Sequence, residues 1–258
     1  MTSSNRQHSS GWFADWFNHP LYLRLYSHRD ETEAKRCVDT ILGIVRPPLD
    51  HPSSYRIMDI ACGAGRHALE FARKGFSVTA NDLSPYLLQC ARVQAGEEHL
   101  PLTCTQQDMR AVSDENAFDL VVQLFSSFGY FDSPDDDRLV VRNVFRALAK
   151  GGWYVLDLIN PAPLKKNLRP HSRKTIDNLS VDEHRRIHGD RVIKDITITS
   201  PEETLEFSES VRLFPPQGIA ALLEEEGFRN ISMIGDYAGS PFNPETSPRM
   251  LVFCSRPS

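Results

Sequence analysis

The stretch Ile57-Met-Asp-Ile-Ala-Cys-Gly-Ala-Gly-Arg-His-Ala68 constrains the fold of this chain more than any other. An apolar run ends in an acid, Asp59. Gly63 and Gly65 follow, and a helix-like segment starts at once. A second apolar run, Phe76-Ser-Val-Thr-Ala80, ends at another acid, Asp82. Strand, glycine turn, helix, strand and acid, in that order, are how an α/β sheet grips an adenosine-containing ligand. Gly63 and Gly65 permit backbone conformations and a close ligand approach that a Cβ would block. Asp82, at the tip of the second strand, can accept hydrogen bonds from two ribose hydroxyls.

The glycines alone do not choose the ligand, because Gly63-x-Gly65-x-x-Ala68 also matches the dinucleotide fingerprint. Asp59 discriminates. A pyrophosphate carries two negative charges, which an acid just before the glycine turn repels. S-adenosylmethionine offers an ammonium and a sulfonium instead. At roughly 4 Å and an effective dielectric of about 20, each such pair is worth on the order of 4 kcal/mol before desolvation. S-adenosylmethionine is therefore the expected cofactor, with a nicotinamide dinucleotide as the competitor.

Strand and helix signals alternate through the first two thirds of the chain. Strands are predicted over residues 55–60, 76–80, 102–105, 118–124 and 153–158. A helix over 66–74 is closed by Gly75. Ser84-Pro85 caps a second, and Ser133-Pro134-Asp135-Asp136 opens a third that runs toward Lys150-Gly151-Gly152. Five such units imply a parallel sheet covered on both faces. About 30 polar residues follow Ile159. Strands are then predicted over 191–199 and 204–213, a helix from Pro216 to Glu226, and two last strands over 231–236 and 249–254. The expected architecture is α/β, a Rossmann-like seven-stranded and mostly parallel sheet with an antiparallel last strand. Its divisions are a tail and helical lid over 1–50, a cofactor-binding core over 51–160, a strand insertion over 161–214, and completion of the sheet over 215–258.

A length of 258 residues suits one large α/β unit with an insertion. No apolar run reaches the roughly 18 residues of a membrane span. Met1 to Ser10 lacks the apolar stretch of a secretory signal. The five cysteines are scattered, which points to a reducing, cytoplasmic setting rather than to disulfides or a zinc knuckle. A net charge of −5 gives no global attraction to nucleic acid. Residues 165–194 nevertheless hold nine Lys/Arg against four Asp/Glu, a local +5 that suits a solvated face or the steering of an anion. His184 and His188 are four apart, but beside Arg185 and Arg186 they read as a turn with no third ligand, so no metal is expected.

The order of residues resembles the class I S-adenosylmethionine-dependent methyltransferases, and specifically their small-molecule branch. Four segments carry the resemblance: Asp59-Ile-Ala-Cys-Gly-Ala-Gly65, Asn81-Asp82-Leu-Ser-Pro85, Gln107-Asp108-Met109-Arg110, and Phe118 to Tyr130 followed by Gly151 to Asp157. The resemblance implies that Asp59 and the backbone around Ala61, Gly63 and Gly65 hold the methionyl part. Asp82 takes the ribose diol, and Leu83 packs on adenine. Asp108 accepts from the adenine amine, the Met109 backbone addresses the ring, and Leu124 and Phe125 lie beside the sulfonium. Leu124-Phe-Ser-Ser-Phe-Gly129 replaces the Asn/Asp-Pro-Pro-Tyr pattern of base-modifying amino-methyltransferases, which argues against a nucleobase amine as acceptor.

Tyr22, Tyr26 and Arg29 precede the core and are candidates to close over the cofactor, with Arg29 facing the methionyl carboxylate. Tyr130 is the candidate acceptor-side hydroxyl. Glu209 shares a strand face with Leu205, Phe207, Val211 and Leu213, where an inward acid suits an amine acceptor, or serves as an edge-strand charge. Tyr237 and Arg249 are expected near the pocket edge. The expected activity is methyl transfer to a nitrogen or oxygen of a small molecule. The competing readings are an RNA-modifying methyltransferase, an NAD-dependent oxidoreductase, and a non-catalytic cofactor-binding scaffold.

Overall fold

The computed structural model describes residues 11–26 and 31–258. Its main sheet has seven strands: β1 (Arg56–Ile60), β2 (Ser77–Asp82), β3 (Leu102–Gln106), β4 (Phe118–Gln123), β5 (Leu148–Ile159), β10 (Arg229–Ile234) and β11 (Arg249–Ser255). They lie in the order β10-β11-β5-β4-β1-β2-β3. Strands β1 to β5 pair in parallel, and β11 runs antiparallel to both β5 and β10. The fold class expected from the sequence is therefore the one observed.

Alternate residues of the central strands enter opposite layers. On one face Met58, Val121, Leu156 and Val252 pack with Val140 and Val144 of α6 (Pro134–Ala147) and Leu223 of α8 (Pro216–Glu225). On the other, Ile57, Val122, Val155 and Phe253 pack with Val38 and Ile41 of α3 (Glu31–Val45) and Phe71 of α4 (Arg66–Arg73). Helix α5 (Pro85–Glu97) starts on a Ser84 cap whose hydroxyl accepts from the Leu87 N–H at 3.1 Å.

Two sequence expectations are corrected. Helix α6 ends at Ala147 rather than at the Gly151-Gly152 pair, and β5 begins at Leu148. The pair instead serves a register shift between β4 and β5, where Phe118 faces Leu148 but Leu120 faces Trp153, and Gly151 takes φ 78°. The polar stretch after Ile159, for which the sequence indicated no individual element, is structured. It contains α7 (Pro161–Asn167), β6 (His171–Ile176) and β7 (Leu179–His188), which join β8 (Arg191–Thr199) and β9 (Thr204–Arg212) in a separate antiparallel sheet of order β6-β7-β8-β9. Its period of two is faint because the outer face and the edge strand are polar. No residue of β6 is buried, whereas Leu179, Val181 and Glu183 of β7 are. His184 and His188 thus lie on a strand, not in a turn.

The second sheet carries the N-terminal helices α1 (Trp12–Phe17) and α2 (Pro20–Leu25). Trp12, Trp16 and Leu25 form a cluster with Leu179, Val181, Ile196 and Ile198, and the Trp16 ring lies 4.4 Å from that of Phe207. Asn18 ties these helices to the core, its Oδ1 accepting from the Ser84 hydroxyl at 2.9 Å.

Candidate active site

Strand order turns at β1, with β4 on one side and β2 on the other, which leaves a crevice at the C-terminal ends of the parallel strands. A cavity of about 280 Å³ occupies it. The wall from β1 comprises Asp59, Ala61, Cys62 and Gly63, and α4 adds Arg66 and His67. Asp82 and Leu83 come from the end of β2, Asp108 and Met109 from beyond β3, and Leu124 and Phe125 from beyond β4. Phe13, Phe17, Tyr22, Tyr26, Tyr130 and Phe131 complete it with aromatic surface. The structure thus brings together the candidates named from the sequence apart from Arg29, Gly65, Glu209, Tyr237 and Arg249. Arg29 lies outside the described residues, and Gly65 and Glu209 are not on the wall.

The two glycines do different work. Gly63 has φ 59° and open space where a Cβ would stand, so a ligand can approach its backbone. Gly65 has φ 83° and its missing Cβ would sit 2.8 Å from the Ala91 Cβ, so it lets α4 and α5 meet rather than a ligand enter.

Asp59 is 1% exposed, and its Oδ2 has no hydrogen-bond partner. Burial, reinforced by nearby Asp82, pushes its carboxyl up to about 8, against a backbone N–H from Ala68. An orphaned, buried acceptor on a cavity wall fits a ligand that brings positive charge and donors, such as a methionyl ammonium. It does not fit a diphosphate. Asp82 accepts from the Gly63 N–H and the Ser84 N–H, both at 2.8 Å, and burial raises its carboxyl despite those bonds. Each oxygen keeps a further lone pair for a ribose hydroxyl. Asp108 is held by Arg110, whose Nη2 lies 2.7 Å from Oδ2; burial works to raise its carboxyl, and Arg110 outweighs it. His67 is buried, and its Nε2 has no partner. Burial, with Arg66 alongside, lowers it to about 3, so the imidazole is neutral.

Phe125 and Ser126 both have φ 62°, a left-handed pair that non-glycine residues rarely adopt. A buried network holds them. Asp157 is fully buried; its Oδ2 accepts from the Phe125 N–H at 2.8 Å and from the Tyr237 hydroxyl at 2.6 Å. Arg249 donates to Asp157 Oδ1 at 2.6 Å and to the Ser126 hydroxyl at 2.8 Å. Tyr237 and Arg249 therefore stand behind the Phe125 turn and do not edge the pocket, which corrects the sequence expectation.

Glu209 is also behind the wall. Its Oε1 accepts from Trp16 Nε1 at 2.8 Å and from the Tyr26 hydroxyl at 2.6 Å, and its Oε2 lies 2.6 Å from Lys194 Nζ. Burial works to raise this carboxyl, and Lys194 with the two donors more than offsets it. Glu209 thus fixes Tyr26, which faces the cavity.

Residues 57–152 match the methyltransferase-domain family. A Bacillus subtilis protein named as a methyltransferase, YqeM, is 35% identical over 139 residues, covering 54% of this chain and 52% of that one. Indeed the chain spans about half the length of the first curated relatives it matches. A Saccharopolyspora spinosa protein, dTDP-4-amino-2,3,4,6-tetradeoxy-D-glucose N,N-dimethyltransferase, is 27% identical and the alignment covers 81% of this chain and 84% of that one. Among solved structures, an S-adenosylmethionine-dependent methyltransferase from Clostridium acetobutylicum superposes with a TM-score of 0.78 at 17% identity, covering 92% and 97%. Residues 57–152 thus carry a segment of the methyltransferase-domain family, set in a fold shared with that S-adenosylmethionine-dependent methyltransferase.

Around that domain lie residues the sequence did not single out. Arg191 donates to the carbonyls of Gly129, Tyr130 and Phe131 at 2.9–3.1 Å, and Arg212 donates to those of Phe131 and Asp132. Two arginines of the second sheet thereby clamp the loop that presents Tyr130. Tyr130 packs edge-on to Trp12 with centroids 5.1 Å apart. The basic stretch is largely consumed inside its own sheet. Arg173 pairs with Asp182, Arg185 with Glu183, Arg186 with Asp195, and Lys194 with Glu209. Among the described residues no helix is long and apolar enough to cross a membrane.

Proposed function

We propose that this protein transfers a methyl group from S-adenosylmethionine to the nitrogen of a small-molecule amine. The observation that carries the reading is the unpartnered Oδ2 of buried Asp59 on the wall of a cavity whose far side is aromatic. Bound there, S-adenosylmethionine would supply an electrophilic methyl on a sulfonium whose positive charge disappears as the methyl leaves. Asp59 would bind the methionyl ammonium, Asp82 the ribose diol, and the walls at Leu83, Asp108 and Met109 the adenine.

What remains for the chain is to align nucleophile, methyl and sulfur in a dry space, and orientation of this kind supplies roughly 7–11 kcal/mol. Phe125, held by Asp157, and Tyr130, held by Arg191 and packed on Trp12, would set the two ends of that line. Aromatic faces around the acceptor would favour the cationic charge that develops on an amine nitrogen as it is methylated. The relative that acts on an amino sugar nucleotide supports nitrogen over oxygen, and makes amino sugars the first acceptors to try.

The test has two arms. Calorimetric titration should give saturable S-adenosylhomocysteine binding and none of NAD(H). Incubation with S-adenosylmethionine and a panel of amino sugar nucleotides, simpler amines and alcohols should release S-adenosylhomocysteine with a mass gain of one methyl on the amine. Binding without turnover on any amine or alcohol of the panel would leave a cofactor-binding scaffold. Turnover on alcohols alone would move the acceptor atom to oxygen.

A further inference from the structure

We infer that the outer face of the second sheet carries a transition-metal site made by His171, Asp182 and His184. It is separate from the methyl-transfer cavity, since none of the three lines that cavity. His171 on β6 and His184 on β7 are direct cross-strand partners, and Asp182 lies two residues before His184. The pleat therefore sends all three side chains to one face. The imidazoles stack at 4.5 Å between centroids with 16° between planes. Each presents its Nε2 to the same oxygen, Asp182 Oδ1, at 2.9 Å. Among the described residues this is the group of histidine, cysteine or acidic side chains whose ligand atoms all converge within 4.8 Å.

The donor set and its surroundings favour an ion over a simple hydrogen-bonded cluster. Two parallel rings are turned toward one acceptor although both are more than half exposed to water, which could satisfy them separately. A zinc ion 2.0–2.2 Å from each donor wants them about 3.3 Å apart in a tetrahedron, so each Nε2–Oδ1 separation would open by a few tenths of an ångström and the stacked rings would tilt toward each other to aim both Nε2 atoms at one ion. Arg173, the cross-strand partner of Asp182, binds the other oxygen, Oδ2, through Nε at 2.9 Å and Nη2 at 2.7 Å. It orients the carboxylate without covering Oδ1, the role that outer partners play at metal centres. Two imidazole nitrogens and one carboxylate oxygen select borderline divalent ions, Zn²⁺, Ni²⁺ or Cu²⁺, over Mg²⁺ or Ca²⁺. The fourth position stays open to water or to a donor from another molecule. Such an ion would tie β6, an edge strand with no buried residue, to β7.

The test uses the full-length, tag-free protein, stripped with chelator and dialysed, and needs neither cofactor nor acceptor, so it stands apart from the methyltransferase reading. Titration with Zn²⁺ alone should show one saturable site, and Co²⁺ should give visible absorption bands of a nitrogen- and oxygen-ligated ion. His171→Ala and His184→Ala should each weaken Zn²⁺ by more than the roughly 10–100-fold that loss of an outer partner costs. His188→Ala, on the same strand but outside the cluster, should bind as the parent does. Circular dichroism of each variant establishes that it is folded. No saturable binding up to about 1 mM Zn²⁺, binding that survives both histidine variants, or Mg²⁺ binding as tightly as Zn²⁺ would each overturn the proposal.

Discussion

Replacing Asp59 with asparagine should weaken the cofactor and strengthen the empty protein at once. The buried carboxyl is raised to about 8, so holding it ionised at pH 7 costs about 1.4 kcal/mol. A cation roughly 4 Å away in this setting returns about 4 kcal/mol. The net contribution is roughly 2–3 kcal/mol, on the order of a 100-fold loss of affinity in Asp59→Asn. Stability moves the other way. The unfolded carboxyl titrates near 3.8 and the folded one near 8. Between those values the folded state binds the extra proton, so stability falls as pH rises through the window and is lower by roughly 4 kcal/mol at pH 7. Asparagine removes that penalty, so the variant should melt higher. Linkage adds a third readout. Binding an ammonium beside Asp59 at pH 7 should expel about 0.9 proton, which calorimetry in buffers of different ionisation enthalpy measures directly. Affinity should therefore fall as pH drops below about 8 in the parent and stay level in Asp59→Asn. Equal S-adenosylhomocysteine affinity in the two proteins, or no proton release from the parent, would refute the electrostatic argument for this cofactor.

Gly65→Ala should lower the melting temperature by an amount equivalent to about 1–3 kcal/mol, because φ is 83° there and the new methyl would meet Ala91 at 2.8 Å; an unchanged melt would mean that α4 and α5 separate freely. Asp82→Ala should weaken S-adenosylhomocysteine by roughly 1–3 kcal/mol and also strand the Gly63 and Ser84 N–H groups, so affinity and melting temperature should fall together in calorimetry and thermal scans. Tyr26→Phe keeps the ring on the cavity but removes the hydroxyl that bridges Glu209 and Lys194, and should cost roughly 1–3 kcal/mol by denaturant titration. A loss as small as that of an exposed tyrosine would show the bridge to be unimportant.

The cofactor half of this molecule was legible because its chemistry is local. Asp59 and Asp82 lie at the C-terminal ends of β1 and β2, and Gly63 and Asp108 follow the ends of β1 and β3, so position along the chain gave position in the crevice. Gly65 shows the limit of that reasoning. Its place beside Gly63 suggested contact with a ligand, but the need for a glycine comes from Ala91 on another helix. The second sheet was half missed for a related reason. The period of β7 rests on Leu179, Val181 and Glu183, one of them an acid, and β6 has no buried residue to mark it.

The acceptor half is illegible for a deeper physical reason, and that reason also says where specificity resides. Tyr130 was found as a hydroxyl past β4, but what fixes it are Arg191 and Arg212, some 60 and 80 residues away in sequence, donating to main-chain carbonyls that carry no side-chain signature. Glu209 read either as an inward acid for a substrate amine or as an edge-strand charge; its carboxylate is spent on Lys194, Trp16 and Tyr26. In both cases a charged residue of the second sheet acts on the cavity through an aromatic residue that it positions. A sheet that reaches the acceptor only through such relays can change its outer strands while the crevice at β1, β2 and β3 stays as it is. Acceptor choice in this chain should therefore track substitutions in residues 171–212 and the aromatic helices packed on them. Cofactor affinity should track Asp59 and Asp82.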